Sequence, residues 1–179
     1  MEFHVERDLL LHSLTHIQGV VEKKNTLPIL SNVLIQANEE GLLVTATDMD
    51  MIISEKINAN VKVNGSTTTG AQALYDVVRK LPPSSKLNFA LKDQSKLKLI
   101  SGMSDYELTC LSPDEFPILE DNINEEPTII ESKQFLKLLN KTKFAISNDE
   151  TRHYLNGIYL GCDQHNKSKL IAVATDGHR

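Results

Sequence analysis

The last five residues of the chain hold the side chains best suited to acid–base chemistry. Thr175, Asp176 and His178 stand close together, and an aspartate can orient a histidine ring so that it acts as a general base. A hydrolase would also need a nucleophile, and the sequence has no G-x-S-x-G motif, no paired-carboxylate motif and no glycine-rich phosphate loop. A related stretch at residues 47–49 lacks the histidine. Hydrolysis by Asp176 and His178 therefore remains an alternative, and we expect a protein without a catalytic step.

Two further sets of side chains could bind metal or take part in redox chemistry. His12 and His16 have the i, i+4 spacing that two zinc ligands on one helix require, but the sequence shows no third ligand. An ordinary polar helix face is the simpler interpretation. Cys110 and Cys162 fall in predicted strands and are expected to be small core residues in a reducing compartment. We predict no metal and no cofactor.

A stripe of lysines is the strongest sign of an anionic partner. Lys133, Lys137 and Lys141 are spaced i, i+4, i+8, which places them on one face of a predicted helix. Residues 132–146 contain four lysines and no acid, whereas residues 112–131 contain seven acids and no base. A solvated helix face is one explanation. Because an unpaired basic stripe repels itself, contact with phosphates, independent of base sequence, explains it better.

A second candidate for nucleic-acid contact is the run Arg152, His153 and Tyr154 at the start of a predicted strand. It combines a cation, a titratable ring and an aromatic side chain that could contact a backbone or stack on a base. A capped surface loop explains the same residues equally well.

Composition limits the class of protein. The chain has 179 residues, 40% of them hydrophobic and 24% charged, which is ordinary for a globular protein of one or two domains. All apolar runs are much shorter than the ~20 residues of a membrane helix, and charged residues interrupt the first ten positions. We expect no membrane partner and no secretory signal. The net charge of −5 argues mildly against a protein that coats DNA with a uniformly basic surface.

The elements that position these residues belong to an internal repeat. At an offset of 125 residues, Leu10 corresponds to Phe135 and Leu14 to Leu139. After a loop that is three residues longer in the second copy, residues 46–48 correspond to residues 174–176. The other matching pairs are Val5 with Ile130, Glu6 with Glu131, Leu11 with Leu136, Thr26 with Thr151, Leu30 with Leu155, Val33 with Ile158, and Ile35 with Leu160.

Periodicity predicts an α+β fold with few helices and many antiparallel strands. The predicted helices are 7–21, 71–81 and 133–146, the last with Ser132 as its N-cap. The predicted strands are 2–6, 29–37, 42–47, 51–63, 67–69, 87–91, 96–101, 106–111, 128–131, 155–161 and 170–175. Residues 64–65, Asn-Gly, predict a turn.

The order strand, helix, strand, strand, strand occurs twice before a proline-containing acidic linker at residues 112–124, and then begins again. We predict one domain at residues 1–122 and a truncated one at residues 127–179. The second copy stops opposite Met51 of the first, so we expect a fragment of a longer protein that ends within its second domain.

Five short motifs together resemble the bacterial DNA polymerase III beta subunits, the sliding clamps. They are TLPIL at 26–30, LP at 81–82, DEFP at 114–117, RHYLNG at 152–157 and VATDGHR at 173–179. The resemblance covers the whole chain. It implies a DNA-clamp fold in which repeated units carry antiparallel sheets outside and helices inside. It also implies a cytoplasmic, nucleoid-associated subunit of three domains, two copies of which close head to tail into a ring around duplex DNA.

The resemblance also implies site residues and partners. The replicative polymerase alpha subunit, the clamp loader and other proteins insert a short apolar motif into a pocket whose matching positions here are Leu155, Thr175, Gly177, His178 and Arg179. Positions near DNA in the family match Lys24, Gln72, Asp149, His153 and Tyr154, and Tyr106 matches a subunit interface. A protein-interaction scaffold that does not encircle DNA is the alternative function.

Overall fold

The computed structural model describes residues 1–21, 27–93, 95–117, 129–149, 151–163 and 169–179. The chain divides into two compact units, unit 1 (Met1–Asp121) and unit 2 (Asn122–Arg179). The predicted boundary, residues 122–127, lies outside the described residues, as does Lys24. No helix in the described ranges is both long and apolar enough to span a bilayer.

The described residues of unit 1 form two α-helices and a nine-stranded antiparallel sheet. The helices are α1 (Arg7–Ile17) and α2 (Ala71–Lys80). The strands are β1 (Glu2–Glu6), β2 (Asn32–Asn38), β3 (Gly41–Thr47), β4 (Ile52–Ile57), β5 (Asn60–Val63), β6 (Gly65–Gly70), β7 (Lys86–Asp93), β8 (Lys96–Ser101) and β9 (Ser104–Leu111). Their order in the sheet is β4-β3-β2-β6-β9-β8-β7-β1-β5. The predicted order of strand, helix and three strands, written twice, is confirmed with one extra strand, β5.

Four predicted elements differ from the structure. The strand predicted at 51–63 is two strands, because β4 pairs with β3 whereas β5 pairs with β1. The predicted turn at residues 64–65 does not join two strands that pair with each other. The chain passes there from β5, which pairs with β1, to β6, which pairs with β2 and β9. The strand predicted from residue 29 starts at Asn32, after a 3-10 turn (Pro28–Ser31) that the proline begins. Helix α1 ends at Ile17, earlier than predicted.

The core of unit 1 lies between the helices and the sheet. Leu10, Leu14 and Ile17 from α1 and Leu74 and Val78 from α2 are 0–2% exposed. Each such side chain contributes about 1.5–3 kcal/mol of burial free energy. The sheet supplies the opposite wall, where the rings of Phe3 and Phe89 stack with centroids 4.8 Å apart. Both helices are therefore amphipathic, and the i, i+3, i+4 pattern of their apolar residues follows from this packing.

One arginine ties the two helices of unit 1 together. Arg7, the first residue of α1, donates from Nε to the Val78 carbonyl at 3.1 Å and from Nη2 to the Arg79 carbonyl at 2.8 Å. These carbonyls belong to the last turn of α2, where a cation is favourable. The Val78 carbonyl also accepts a hydrogen bond from the Leu81 N–H at 3.3 Å. Asp8 pairs with Arg7 and accepts a hydrogen bond from the Ser84 backbone N–H. The start of α1 thus caps the end of α2.

The part of unit 2 that the structure describes forms one α-helix and a two-stranded antiparallel sheet. Helix α3 (Ser132–Thr142) is followed by a 3-10 turn (Lys143–Ala145), a second one (His153–Leu155), and the antiparallel pair β10 (Tyr159–Cys162) and β11 (Leu170–Val173). Helix α3 and the strands β10 and β11 confirm the helix and the last two strands predicted for the second copy, although both strands are shorter than predicted.

Two predictions for the start of unit 2 are wrong. Ser132 is the first helical residue rather than the N-cap; Glu131 occupies that position, and its carboxylate accepts a hydrogen bond from Gln134 instead of capping the backbone. Residues 129–131 form no strand. In unit 1 the matching strand β1 lies between β5 and β7, whereas the described strands of unit 2 pair only with each other. A strand needs such a partner to satisfy its backbone groups.

Candidate functional site

The predicted pocket residues lie around a cavity of unit 2. Its volume is about 400 Å³, and it is lined by residues 153–159 and 173–175. The second 3-10 turn supplies Leu155, and the residues that follow β11 supply Thr175. Gly177, His178 and Arg179 follow Thr175 on an adjoining turn and do not line this cavity. The structure therefore brings the five predicted residues into one region but places only two of them in the cavity wall.

The turn at residues 175–179 is held by its own side chains. The Thr175 hydroxyl accepts a hydrogen bond from the Gly177 N–H at 3.0 Å and donates to the Arg179 carbonyl at 2.6 Å. Asp176 Oδ1 accepts from the backbone N–H groups of His178 at 2.9 Å and Arg179 at 3.1 Å. The His178 backbone bond, followed by those from Arg179, lowers the pKa of Asp176. The Asp176 carboxylate thus accepts hydrogen bonds from the backbone. It does not orient the His178 ring, as it would have to if His178 were a general base.

Unit 1 contains the same turn at residues 47–51. Thr47 accepts from the Met49 N–H at 3.0 Å and donates to the Met51 carbonyl at 2.8 Å, and Asp48 accepts from the Met51 N–H at 2.7 Å. The central residue is left-handed in both copies, with φ of 83° at Met49 and 89° at Gly177. The sequence repeat is therefore also a repeat of hydrogen bonds.

Arg152 lies beside the turn at residues 175–179. Its Nε lies 2.8 Å from Asp149 Oδ2, and a Cβ placed on Gly177 would lie 3.3 Å from its Nη1. The pKa of Asp149 is lowered to about 2, first by hydrogen bonds from the Thr151 side chain and backbone and then by Arg152. The sequence predicted a DNA contact at Arg152 and missed this ion pair, which the i, i+3 spacing could have indicated.

The three lysines of the stripe are exposed on α3, as predicted. Lys133, Lys137 and Lys141 take part in no ion pair with any residue that the structure describes. Lys137 and Lys141 also border a groove of about 790 Å³, which the sequence did not predict. Its apolar lining residues are Ile129, Ile130, Leu138 and Leu170. The pocket and the stripe are therefore separate features of unit 2.

The remaining predicted contacts lie in different environments. Gln72 is exposed on α2 and donates from Nε2 to Asp76 at 2.9 Å. His153 and Tyr154 are exposed on the second 3-10 turn, and Tyr154 is 79% exposed. Tyr106 is partly buried on β9, opposite Leu99 of β8. Since the described pairing of β9 with β6 involves only its last two residues, the strand edge beside Tyr106 is open in the described part of unit 1.

The two cysteines differ. Cys110 is buried, as predicted, and burial raises the pKa of its thiol. Cys162 is exposed, so the prediction of a core position is wrong for it. It lies on β10 beside the groove, where no described element covers it. Among the described residues, no group of three or more histidine, cysteine or carboxylate side chains is placed to hold a metal ion.

Comparisons of the sequence and of the structure with known proteins identify the same family. The model of the N-terminal domain of the DNA polymerase III beta subunit matches residues 1–120, and that of the central domain matches residues 129–179. The beta sliding clamp of Caulobacter vibrioides is 40% identical over 181 residues, which cover 100% of this chain and 49% of that protein. The Pseudomonas putida clamp is 32% identical over 180 residues, with 100% and 48% coverage.

Solved structures agree with the sequence comparison. The Caulobacter crescentus polymerase III beta structure has a TM-score of 0.92 and 40% identity, and covers 99% of this chain and 48% of its own. A Bartonella birtlesii sliding clamp bound to griselimycin has a TM-score of 0.83 and 36% identity, with 99% and 48% coverage. The chain spans about half the length of these relatives. Because two consecutive domain models and clamp structures match nearly all of it, the chain belongs to the DNA polymerase III beta subunit family.

Proposed function

We propose that this chain supplies the first domain and part of the second domain of a sliding clamp, the processivity factor of a bacterial replicative polymerase. The observation that carries the proposal is the likeness of 99% of the chain to a solved clamp at a TM-score of 0.92. A closed ring stays on duplex DNA because it cannot dissociate sideways. It tethers the polymerase at a high effective concentration, and no bond is made or broken by the clamp itself.

Contact with DNA is assigned mainly to α3. Lys133, Lys137 and Lys141 are exposed and unpaired in the described structure, so phosphates can approach them without displacing a carboxylate. Gln72 and Arg152 must first leave Asp76 and Asp149, respectively. Weak contacts that ignore base sequence suit a ring that slides, because tight binding at one site would stop it.

Partner binding is assigned to the pocket of unit 2. Leu155 and the Thr175 methyl group offer apolar wall to a short peptide segment, and the rigid turn at Gly177 forms a neighbouring edge. The polymerase alpha subunit and the clamp loader are the partners we assign to it. The Bartonella birtlesii clamp was solved with griselimycin bound, which supports a ligand-binding surface in this family.

Subunit contact is assigned to the open edge of β9 near Tyr106. An unpaired strand edge presents N–H and C=O groups that a strand of a second subunit can satisfy. The homodimeric ring would then continue the sheet from one subunit into the next, in the bacterial cytoplasm at the nucleoid.

A chimeric protein tests the proposal. We would replace the matching half of the Caulobacter vibrioides clamp with residues 1–179 and load the chimera onto nicked circular DNA. We expect it to remain on the circle during gel filtration and to leave when the circle is linearised. Equal release from both forms would instead favour a scaffold that does not encircle DNA.

The contribution of α3 is tested in the same chimera. Changing Lys133, Lys137 and Lys141 to glutamine should weaken equilibrium binding of the chimera to a short linear duplex and reduce the salt dependence of that binding. The matched control changes three lysines that are paired on the sheet, Lys56, Lys62 and Lys92, whose partners are Glu40, Glu2 and Glu107, respectively. An equal effect in the control would refute the assignment to α3.

A further inference from the structure

We propose that His12 and His16 of α1 bind one divalent transition-metal ion of the class that prefers imidazole, such as Zn²⁺, Co²⁺ or Ni²⁺. The sequence shows only their i, i+4 spacing, which puts both rings on the same face of the helix. In the structure both side chains are exposed, and their ring centroids are 4.3 Å apart at an interplanar angle of 67°. Rings this close can direct one nitrogen each toward a shared ion.

A carboxylate behind one ring distinguishes this pair from two surface histidines. Glu55, on β4, lies with Oε1 2.6 Å from His16 Nδ1. When the Nδ1–H group of a neutral His16 ring donates a hydrogen bond to Glu55, the free lone pair of the ring is on Nε2. That nitrogen faces away from Glu55. This is the second-layer arrangement that orients metal-binding histidines and raises their basicity.

His12 supplies the second ligand. Within the described chain, its ring contacts His16 and forms no hydrogen bond, so either of its nitrogens is available. Because one helix carries both histidines, their backbone is already ordered before the ion binds, and less conformational entropy is lost on binding. No third protein ligand is placed to join them in the described ranges. The ion would therefore keep water or an external ligand at its other positions, as open metal sites do.

A bound ion would link two successive turns of α1 and, through Glu55, strengthen its attachment to the edge strand β4. Any ligand that binds only the folded state stabilises it by mass action. We therefore expect the melting temperature of the untagged 179-residue chain to rise with Zn²⁺ at pH 7.5, and to return to its starting value with EDTA.

The test is isothermal titration with Zn²⁺ on variants of the whole untagged chain. One ion should bind per chain. His12→Gln or His16→Gln should each weaken binding on the order of 100-fold, because the second ligand then no longer acts within the same molecule. Glu55→Gln, which keeps both imidazoles, should weaken it about tenfold. His4→Gln, at a histidine on β1 outside the proposed pair, is the control and should bind Zn²⁺ as the parent does.

Two results would overturn the proposal: affinity unchanged in both His12→Gln and His16→Gln, or no saturable binding by the parent chain at millimolar Zn²⁺. A nuclear magnetic resonance titration of the parent chain guards against loss of folding in the variants. Zn²⁺ should shift the imidazole resonances of His12 and His16 together, at Nε2 for His16, and shifts spread equally over all histidines would refute the site.

Discussion

Units 1 and 2 share a sequence pattern but differ greatly in burial. Leu14 is 1% exposed, whereas its counterpart Leu139 on α3 is only partly buried. Ile35 on β2 is 2% exposed, whereas its counterpart Leu160 on β10 is 42% exposed. In unit 1 the α1–α2 layer covers a nine-stranded sheet; in unit 2 the described layer is one helix over two strands. The pattern therefore marks which face is apolar, and the number of elements packed on that face decides how far it is buried.

The turns differ much less than the cores. Thr47 and Thr175 make the same pair of hydrogen bonds, and the central residue has a left-handed backbone in each copy. These bonds join residues that are at most four positions apart, so they form whether or not the surrounding core is complete.

The largest expected difference between the units comes from matched leucine truncations. Leu14→Ala should lower the free energy of unfolding of unit 1 by about 2–5 kcal/mol, because it leaves a cavity in a closed core. Leu139→Ala should cost about 1 kcal/mol or less, since its side chain is already partly hydrated. Hydrogen exchange of unit 1 and unit 2 amides in urea measures the two losses separately. Equal losses would contradict the comparison.

A smaller difference is expected at the starts of the helices. Arg7→Gln should destabilise unit 1 by about 2 kcal/mol, because the last carbonyls of α2 lose charged donors. Its counterpart in unit 2 is Ser132, where Ser132→Ala should change little because no side-chain cap is present. Urea unfolding followed by circular dichroism gives both values. Arg7→Lys is the control and should not restore the loss, since an ammonium cannot span both carbonyls.

Exchanging the central residues of the turns should give effects of opposite sign. Met49→Gly should stabilise unit 1 by up to about 1 kcal/mol by relieving a positive φ. Gly177→Met should destabilise unit 2 by at least about 1 kcal/mol, because φ is unfavourable and the new Cβ meets Arg152 at 3.3 Å. Thermal unfolding measures both changes. If both variants lose stability, the two turns are not equivalent.

The smallest effect is electrostatic and is confined to unit 2, since the counterpart of Asp149 in unit 1 is Lys24. The Asp149 pKa of about 2 is below the ordinary 3.8, so the ionised carboxylate stabilises the folded loop. That contribution is complete above about pH 4 and is lost as the pH falls through 2. We expect the Asp149 carboxyl carbon to titrate near pH 2, and Thr151→Val to raise the midpoint more than Arg152→Gln. An unchanged midpoint in both variants would show that neither Thr151 nor Arg152 lowers this pKa.

The pocket illustrates how far sequence reasoning reaches. The family motif identified the region that contains Leu155 and Thr175, which the structure brings to one cavity. It did not find the Asp149–Arg152 pair or the contact of Arg152 with the turn at Gly177. The ion pair joins residues three positions apart, and its spacing could have indicated it. The proximity of Arg152 to Gly177 depends on how two loops approach each other, which no local pattern records.

The sequence by itself determined the family, the twofold order of elements in unit 1 and the repeat, because these follow from short motifs and from the periodicity of apolar residues. Only the tertiary structure decided which apolar residues are buried, where β4 and β5 separate, and which carboxylate stands behind His16. Those outcomes depend on partners far apart in the chain: Glu55 is 39 positions from His16, and β4 and β5 pair at opposite ends of the sheet order. Pairing over such distances is set by the packing of the whole unit rather than by any single segment.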